Sequence, residues 1–385
     1  MKVAQSYSLV NNITQELLGK TEVINEDLSN VVDVGNEIFD NSTTDNYVRS
    51  LLNQIGRMIF VDRAYSGSAP SVLRDGWEYG SVLEKIRAEM PEATENESWE
   101  LQNGASYDQD IFYKPTVSAK FFNKRVTFEI PMSFTERQVK ESFQNATQLN
   151  AFMSMLYNTV DKAMTVKIDS LVMRTINNMT AETIYDDYKG AGLETKSGVK
   201  AVNLLYKYNQ LHSGNTLTAE NCITNPDFIR FAVYEIQKYI PRLRTMSSLF
   251  NIGKKNNFTP TDKLHVVMLA DFKAGADIYL QSETFHDQYT TLPNAETVPF
   301  WQGSGTDYEF SSVSDIHVNT STGNEVTASG ILAVMFDRDA LGVTNEDRRV
   351  TTHYNAKGEF YNNFYKFEAG YFNDLNENFV VFFVA

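Results

Sequence analysis

From Phe143 to Met179 the chain reads FQNATQLNAFMSMLYNTVDKAMTVKIDSLVMRTINNM, and no Gly or Pro interrupts it. Leu149, Phe152, Met153, Leu156, Val160, Met164, Ile168, Leu171, Val172 and Ile176 recur at i, i+3/i+4, the period of one helix face. At 1.5 Å per residue the periodic stretch from Leu149 to Ile176 spans about 42 Å. A helix of that length is a spine along which other elements must pack. Met153, Met155, Met164, Met173 and Met179 also lie on it. Pliable thioethers suit a binding groove, but at helical spacing they read as core filler.

The segments around this helix are extended or loop-like. GWEYGSVLEKI (76–86) and KFFNKRVTFEIP (120–131) alternate with the period of a strand, with Phe122, Val126, Phe128 and Ile130 on one face. Between them lies EMPEATENESWELQNGASYDQD, acidic and poor in core formers, so the pair reads as a long projecting hairpin or loop. Residues 1–50 are polar, with a short helix predicted at NITQELLG, and TTDNYVRSLLNQIGRMIF (43–60) predicts a second. After the spine come a Gly-rich linker (187–198) and a helix over 225–251. Asn225 or Asp227 is its predicted cap, and Pro241 should kink it or end its first part. A basic loop, NIGKKNNFTPTD, precedes a buried strand KLHVVMLA and a helix opened by Asp271. TVPFWQGSGTDYEFSSV is extended, GILAVMFDRDALG (330–342) is a buried strand running into a turn, and the C-terminus predicts at least two strands around a turn at 373–378. The fold class is α+β.

The formal charge of −15 argues against a chain whose main task is gripping nucleic-acid phosphates, while leaving room for weak contact along a basic stripe. The polar N-terminus, without an apolar signal region, predicts no export, and no apolar run reaches the roughly 18 residues of a membrane span. Cys222 is the single cysteine, which fits a reducing compartment. The 25 Phe and 20 Tyr suit broad packing surfaces, including those between subunits.

Motifs that carry chemistry are mostly missing. His212, His265, His286, His317 and His353 are scattered and match no metal-ligand spacing. LLGKT (17–21) ends like a phosphate-binding loop but has Thr14 where the first glycine belongs, and GKK at 253–255 has Ser248 there. The carboxylate clusters are YDDY (185–188), Asp337 and Asp339 in DRD, and NEDRR (345–349). A hydrolase would need two acids held across a cleft. Each cluster reads first as a solvated turn with a local Arg partner. No catalytic, cofactor-binding or metal residue is therefore assigned, and the chain reads as no enzyme.

The order of elements resembles the major capsid protein of tailed bacteriophages, the HK97-like fold, in its compact phi29-like variant. FFNKRVTFEIPMSFTERQVKESF leading into the 143–179 helix is similar to the passage from extended loop to spine helix. GILAVMFDRDALGV is similar to the late strand and turn, and YNAKGEFYNNFYKFEAGYFNDLNENFVVFF to the closing aromatic hairpin. The resemblance implies an N-terminal arm and short helix (1–60), an extended loop (61–133), the spine helix and start of the peripheral domain (134–200), an axial domain (201–345), and C-terminal strands returning to the peripheral domain (346–385). It implies a structural protein that self-assembles through pentamers and hexamers into an icosahedral or prolate head around phage DNA, in the bacterial host cytoplasm. Implied partners are further copies of itself, a separate scaffolding protein, the portal, a decoration protein and weakly held double-stranded DNA, with no membrane and no cofactor. PRLRTM and GKKNNF hold candidate DNA contacts. Asp337 and Asp339 would then merely end a structural strand. Some family members cross-link a loop lysine to a neighbour's asparagine. Lys85, Lys114, Lys120 and Lys124 lie in that region, the sequence singles out none, and no isopeptide chemistry is assigned. The rival readings are an encapsulin-like compartment shell, sharing the fold but enclosing protein cargo, and a carboxylate-based hydrolase.

Overall fold

The computed structural model describes residues 73–74, 83–91, 93, 95, 102–106, 110–142, 144, 146–214, 216–281, 295–299, 301 and 315–385, with short pieces (10–13, 15, 25, 30, 33, 50–51) in the first fifty or so. The chain divides into two compact units: Met1–Tyr79, Arg125–Arg174 and Val343–Gly370 form one, and Gly80–Lys124, Thr175–Gly342 and Tyr371–Ala385 the other.

The first unit is a four-stranded sheet with helices. Strands β1 (Leu73–Arg74), β4 (Arg125–Thr135), β11 (Leu341–Asn355) and β12 (Phe360–Asn373) lie in the order β1-β11-β12-β4. β4 and β12 run antiparallel over their full shared length, and Phe128 opposite Phe367 stacks at 5.0 Å. Both strands alternate in exposure, as a half-buried sheet requires. The strand expected over 120–131 is thus two strands. β3 (Val117–Phe122) ends before Asn123, and β4 starts afresh at Arg125 with a different partner. The apolar alternation continues across the break, so periodicity alone does not reveal it.

Helix α1 (Glu136–Ser142) opens on a reciprocal cap: the Gln138 amide N–H donates to the Thr135 hydroxyl at 3.2 Å, and the Thr135 N–H donates to Gln138 Oε1 at 3.0 Å. α2 (Ala146–Tyr188) follows and is longer than the sequence pattern indicates, at 43 residues or about 65 Å. Leu149, Met153, Leu156, Val160, Met164 and Ile168 are buried, while the residues between them are exposed or half-buried. From Leu171 to Ile184 nearly every position is covered, so the one-sided pattern disappears. The buried Thr183 hydroxyl there donates back along the helix to Met179 O at 2.8 Å. Four of the five methionines are core; Met155, at 49% exposed, is not.

The second unit is built on a five-stranded sheet in the order β5-β13-β10-β6-β7, from β5 (Ala201–Asn203), β6 (Leu264–Leu269), β7 (Ala295–Val298), β10 (Ile331–Asp337) and β13 (Phe379–Phe383). β10 is central, antiparallel to both neighbours, and buried at every residue, as are β6 and β13. Continuous apolar runs of this kind mark strands covered on both faces. Gly330, at φ +70, lets the chain enter β10 where a Cβ would lie 2.2 Å from the Val384 carbonyl oxygen.

Helices α3 (Leu204–Leu211), α4 (Pro226–Arg244) and α5 (Ala270–Gln281) belong to this unit, with two hairpins, β2 (Leu83–Ala88) with β3 and β8 (Asp315–Asn319) with β9 (Glu325–Ser329). Asn225 is the cap of α4, its side-chain oxygen accepting from the amides of Asp227 and Phe228. Pro241 does not end the helix. It sits in the last turn, one backbone bond is lost there, and the buried face from Phe228 to Leu243 carries the helix on to Arg244. The helix expected at 43–60 lies outside the described residues except Ser50 and Leu51, which are helical, and the extended segment expected at 297–313 lies outside them beyond Trp301.

Candidate assembly surface

The β2–β3 hairpin presents two unlike faces. Its antiparallel register pairs Lys85 with Lys120 and Arg87 with Ser118 on one face, and Glu84 with Phe121, Ile86 with Ala119 and Ala88 with Val117 on the other. The first face turns onto the chain's own C-terminal turn. Lys120 Nζ donates to Asp374 Oδ1 at 2.9 Å, Lys85 Nζ to Asp374 Oδ2 at 3.2 Å, and an Arg87 guanidinium N–H to the Asn376 carbonyl at 3.2 Å. Lys85 also donates to the carbonyl of Asp339 and sits 5.1 Å from the Phe372 ring centre, while Phe122 packs on Phe372 at 5.3 Å.

Asp374 is only 4% exposed. Burial alone would raise its pKa, but the hydrogen bond from Lys120 and the charge of Lys85 outweigh it and hold the carboxyl below the usual range. For Glu377 beside it burial prevails, and its carboxyl is pushed up despite Lys85 at 3.9 Å and Arg87 at 4.0 Å. The root of the arm is therefore latched by ion pairs.

The second face has no such cover. Ile86, Val117 and Phe121 are exposed together with Ala88 and Ala119, and beyond the strands Phe112 and Tyr113 are 85% and 82% exposed. Scattered apolar residues at a surface are ordinary, but a contiguous ribbon face of them marks an interaction surface.

The candidate chemical groups are placed quite differently. Asp337 ends β10, almost fully buried, and accepts the Asp339 N–H at 2.8 Å and the Thr259 hydroxyl. Burial pushes its carboxyl up. Asp337 is thus no solvated turn residue: it ties the β10 turn. Asp339 pairs at the surface with Lys263 at 3.0 Å.

In YDDY, Asp187 accepts the amides of Lys200 and Ala201 at 2.7 and 2.8 Å, and Lys200 Nζ bridges Asp186 and Asp187 at 2.8 Å each. Burial works against a charged Asp186, but the hydrogen bonds from Lys189 and Lys200 hold its pKa down. Both acids anchor the entry to β5, with lysine and not arginine as partner. Of NEDRR only the Arg349 side chain is described, pairing with Glu368 at 3.1 Å.

His212 stacks on Tyr208, His265 on Phe336, and His317 bonds Thr327, while His353 is exposed; His286 and the 17–21 segment lie outside the described residues. Among the described residues no group of His, Cys, Asp and Glu could hold a metal ion. Lys85 and Lys120 are engaged at Asp374, whereas Lys114 and Lys124 are exposed. The latch was not legible beforehand, because its partners stand 254 and 289 residues apart.

The architecture has relatives among phage particles. The chain superimposes on the capsid structure of Staphylococcus phage Andhra with a TM-score of 0.50 at 10% identity, over 84% of this chain and 86% of that one. A chain in the structure of the head fiber and inner core protein gp22 of native bacteriophage P68 gives a TM-score of 0.50 at 8% identity, again over 84% and 86%. At such identity the likeness speaks to the fold alone: that of the HK97-like phage capsid proteins. No protein of curated function matches the chain. The model of one sequence family, Phi29-like phage major capsid protein, matches residues 10–383, and the chain belongs to that family. It is a structural component of a phage capsid, where it associates with copies of itself. Among the described residues no helix is long and apolar enough to cross a membrane.

Proposed function

We propose that the chain is the repeating shell subunit of the phage head, assembling through pentamers and hexamers around double-stranded DNA, and that it does no chemistry of its own. The observation that carries this is the uncovered apolar face of the β2–β3 arm, where Ile86, Val117 and Phe121 stand open. In the shell this arm lies over the long helix of a neighbouring copy, where Met155 and Val166 stand exposed on α2. The contact tolerates the small rotations that five-fold and six-fold surroundings demand. The five-part division into arm, extended loop (61–133), spine helix, axial domain and returning strands describes the same reading. Assembly takes place in the host cytoplasm with a separate scaffolding protein, and the portal and a decoration protein complete the head. DNA is held only weakly, in keeping with the acidic charge.

Electron microscopy and light scattering of the purified chain, with and without its scaffold, test this. Closed shells, or pentamers and hexamers, are expected. A chain that stays monomeric or dimeric under every condition overturns it. Phe121→Asp, at a position 63% exposed, is expected to leave the fold intact and abolish shells.

A further inference from the structure

A second surface combines charge and apolar area in the opposite sense to the arm. Between Glu235 and Asp262 the sequence holds five Lys and Arg and no acid, in a chain of net charge −15. The structure closes this stretch into a knob. Ser247 and Asn257 exchange two backbone hydrogen bonds at 2.9 and 3.1 Å, and the Thr259 N–H donates to Leu243 O at 2.7 Å. The Asn251 side chain spans the turn, accepting from the Lys255 N–H at 2.8 Å and donating to its carbonyl at 2.7 Å. Lys254 is held at φ +51, a conformation a lysine adopts only when its surroundings impose it. On the outside stand Met246, Leu249 and Phe258, 45%, 60% and 47% exposed, with the exposed cations Arg242, Arg244 and Lys254. The two stretches PRLRTM and GKKNNF thus become one surface.

The complementary piece is in the same sequence. Between Arg87 and Lys114 stand seven carboxylates and not one Lys, Arg or His, with Trp99, Ile111 and Phe112 among them. We propose that the basic, apolar knob over 242–258 of one copy is the seat for the acidic segment 89–113 of the β2–β3 arm of a second copy. Charge complementarity selects the partner and apolar contact holds it. A pairing of this kind exists already within the chain, where Lys255 meets Glu89 at the arm's root. Phe112 and Tyr113, farther out, are uncovered within the chain, so the outer segment finds its cover on another copy. This rests on the shell reading above and adds where the arm's acidic end is held.

The test uses the full chain under conditions in which the wild type forms shells. Arg244→Glu with Lys254→Glu alters two exposed side chains, and circular dichroism verifies the fold. Shell yield should fall about tenfold or more, since like charges replace opposite ones. Adding Glu95→Lys and Glu97→Lys to the same chain should restore it. In shells grown from mixed isotope-labelled and unlabelled protein, zero-length amine–carboxylate coupling should join Lys254 to a peptide from 89–113 carrying the other label. Undiminished yield, failure of the restoring pair, or same-label links alone would overturn the proposal. Normal assembly with reduced retention of double-stranded DNA would also overturn it, making the knob a nucleic-acid contact. Absence of wild-type shells would instead strike the shell reading itself.

Discussion

Asp374→Asn is the sharpest test of how the arm is held. The substitution keeps the shape of the side chain and the acceptor for the Asn376 N–H, but removes the charge to which Lys85 and Lys120 both donate. Breaking a fully buried pair costs about 3–5 kcal/mol. Here Lys120 is 40% exposed and Lys85 21%, so both ammonium groups can turn back to water, and the cost falls to about 2 kcal/mol. The loss is local, because the arm joins its unit through this root while the core strands β10 and β13 are untouched. Amide hydrogen exchange over residues 84–122 should speed up about 30-fold, with the five-stranded sheet unchanged.

The pH dependence has a definite sign. The folded carboxyl of Asp374 titrates below its ordinary value, so its contribution is complete above the unfolded value of about 3.9 and is lost as pH falls through the lower folded value. The Asp374 contribution, read as the difference in arm protection between wild type and Asp374→Asn, should be level from about pH 8 to about pH 5 and drop at stronger acidity. If Asp374→Asn leaves exchange across 84–122 within about threefold of wild type, the ion pairs do not hold the arm and the reasoning fails.

Other substitutions probe the rest of the molecule. Met164→Ala, at a fully buried position of α2, should destabilise by about 2–5 kcal/mol in urea unfolding. Gly330→Ala forces a Cβ into the Val384 carbonyl at positive φ and should cost at least about 2 kcal/mol, with markedly lower soluble expression. Asp337→Asn should leave stability near pH 7 within about 1 kcal/mol or raise it, because burial pushes this carboxyl up. A raised folded pKa favours the folded state fully only below the unfolded value, and that advantage fades as pH rises through the folded one. A loss above about 3 kcal/mol on that change would show that the charged form is required.

Much of the fold could be read locally. The Leu149–Ile168 pattern, the all-apolar run of β10, the alternation of β4 and the Asn225 cap each depend on residues a few positions apart, where backbone geometry repeats and side-chain faces follow. Pro241 does not end α4, because a proline in a last turn removes one bond that the packing of Leu243 can outweigh. The Thr135–Gln138 cap is a local signal too, carried by the TERQ spacing. Asp337 is legible in sequence as the end of a buried strand, and only the strands on either side of β10 reveal that its carboxyl is buried and not solvated.

The long helix, the buried strands, the acidic character of the arm and the basic character of 242–258 follow from composition and short-range period, which are properties of the chain. The sequence also carried the family. Tertiary structure alone decided that the apolar alternation through residues 120–131 breaks at Asn123–Lys124 and serves two sheets. It decided too that Asp374 receives Lys85 and Lys120, and that one face of the arm is spent within the chain while the other is left open. Those outcomes join groups hundreds of residues apart, and an ion pair or a strand partner is chosen by what the folded backbone brings within about 3–5 Å, not by any spacing along the chain.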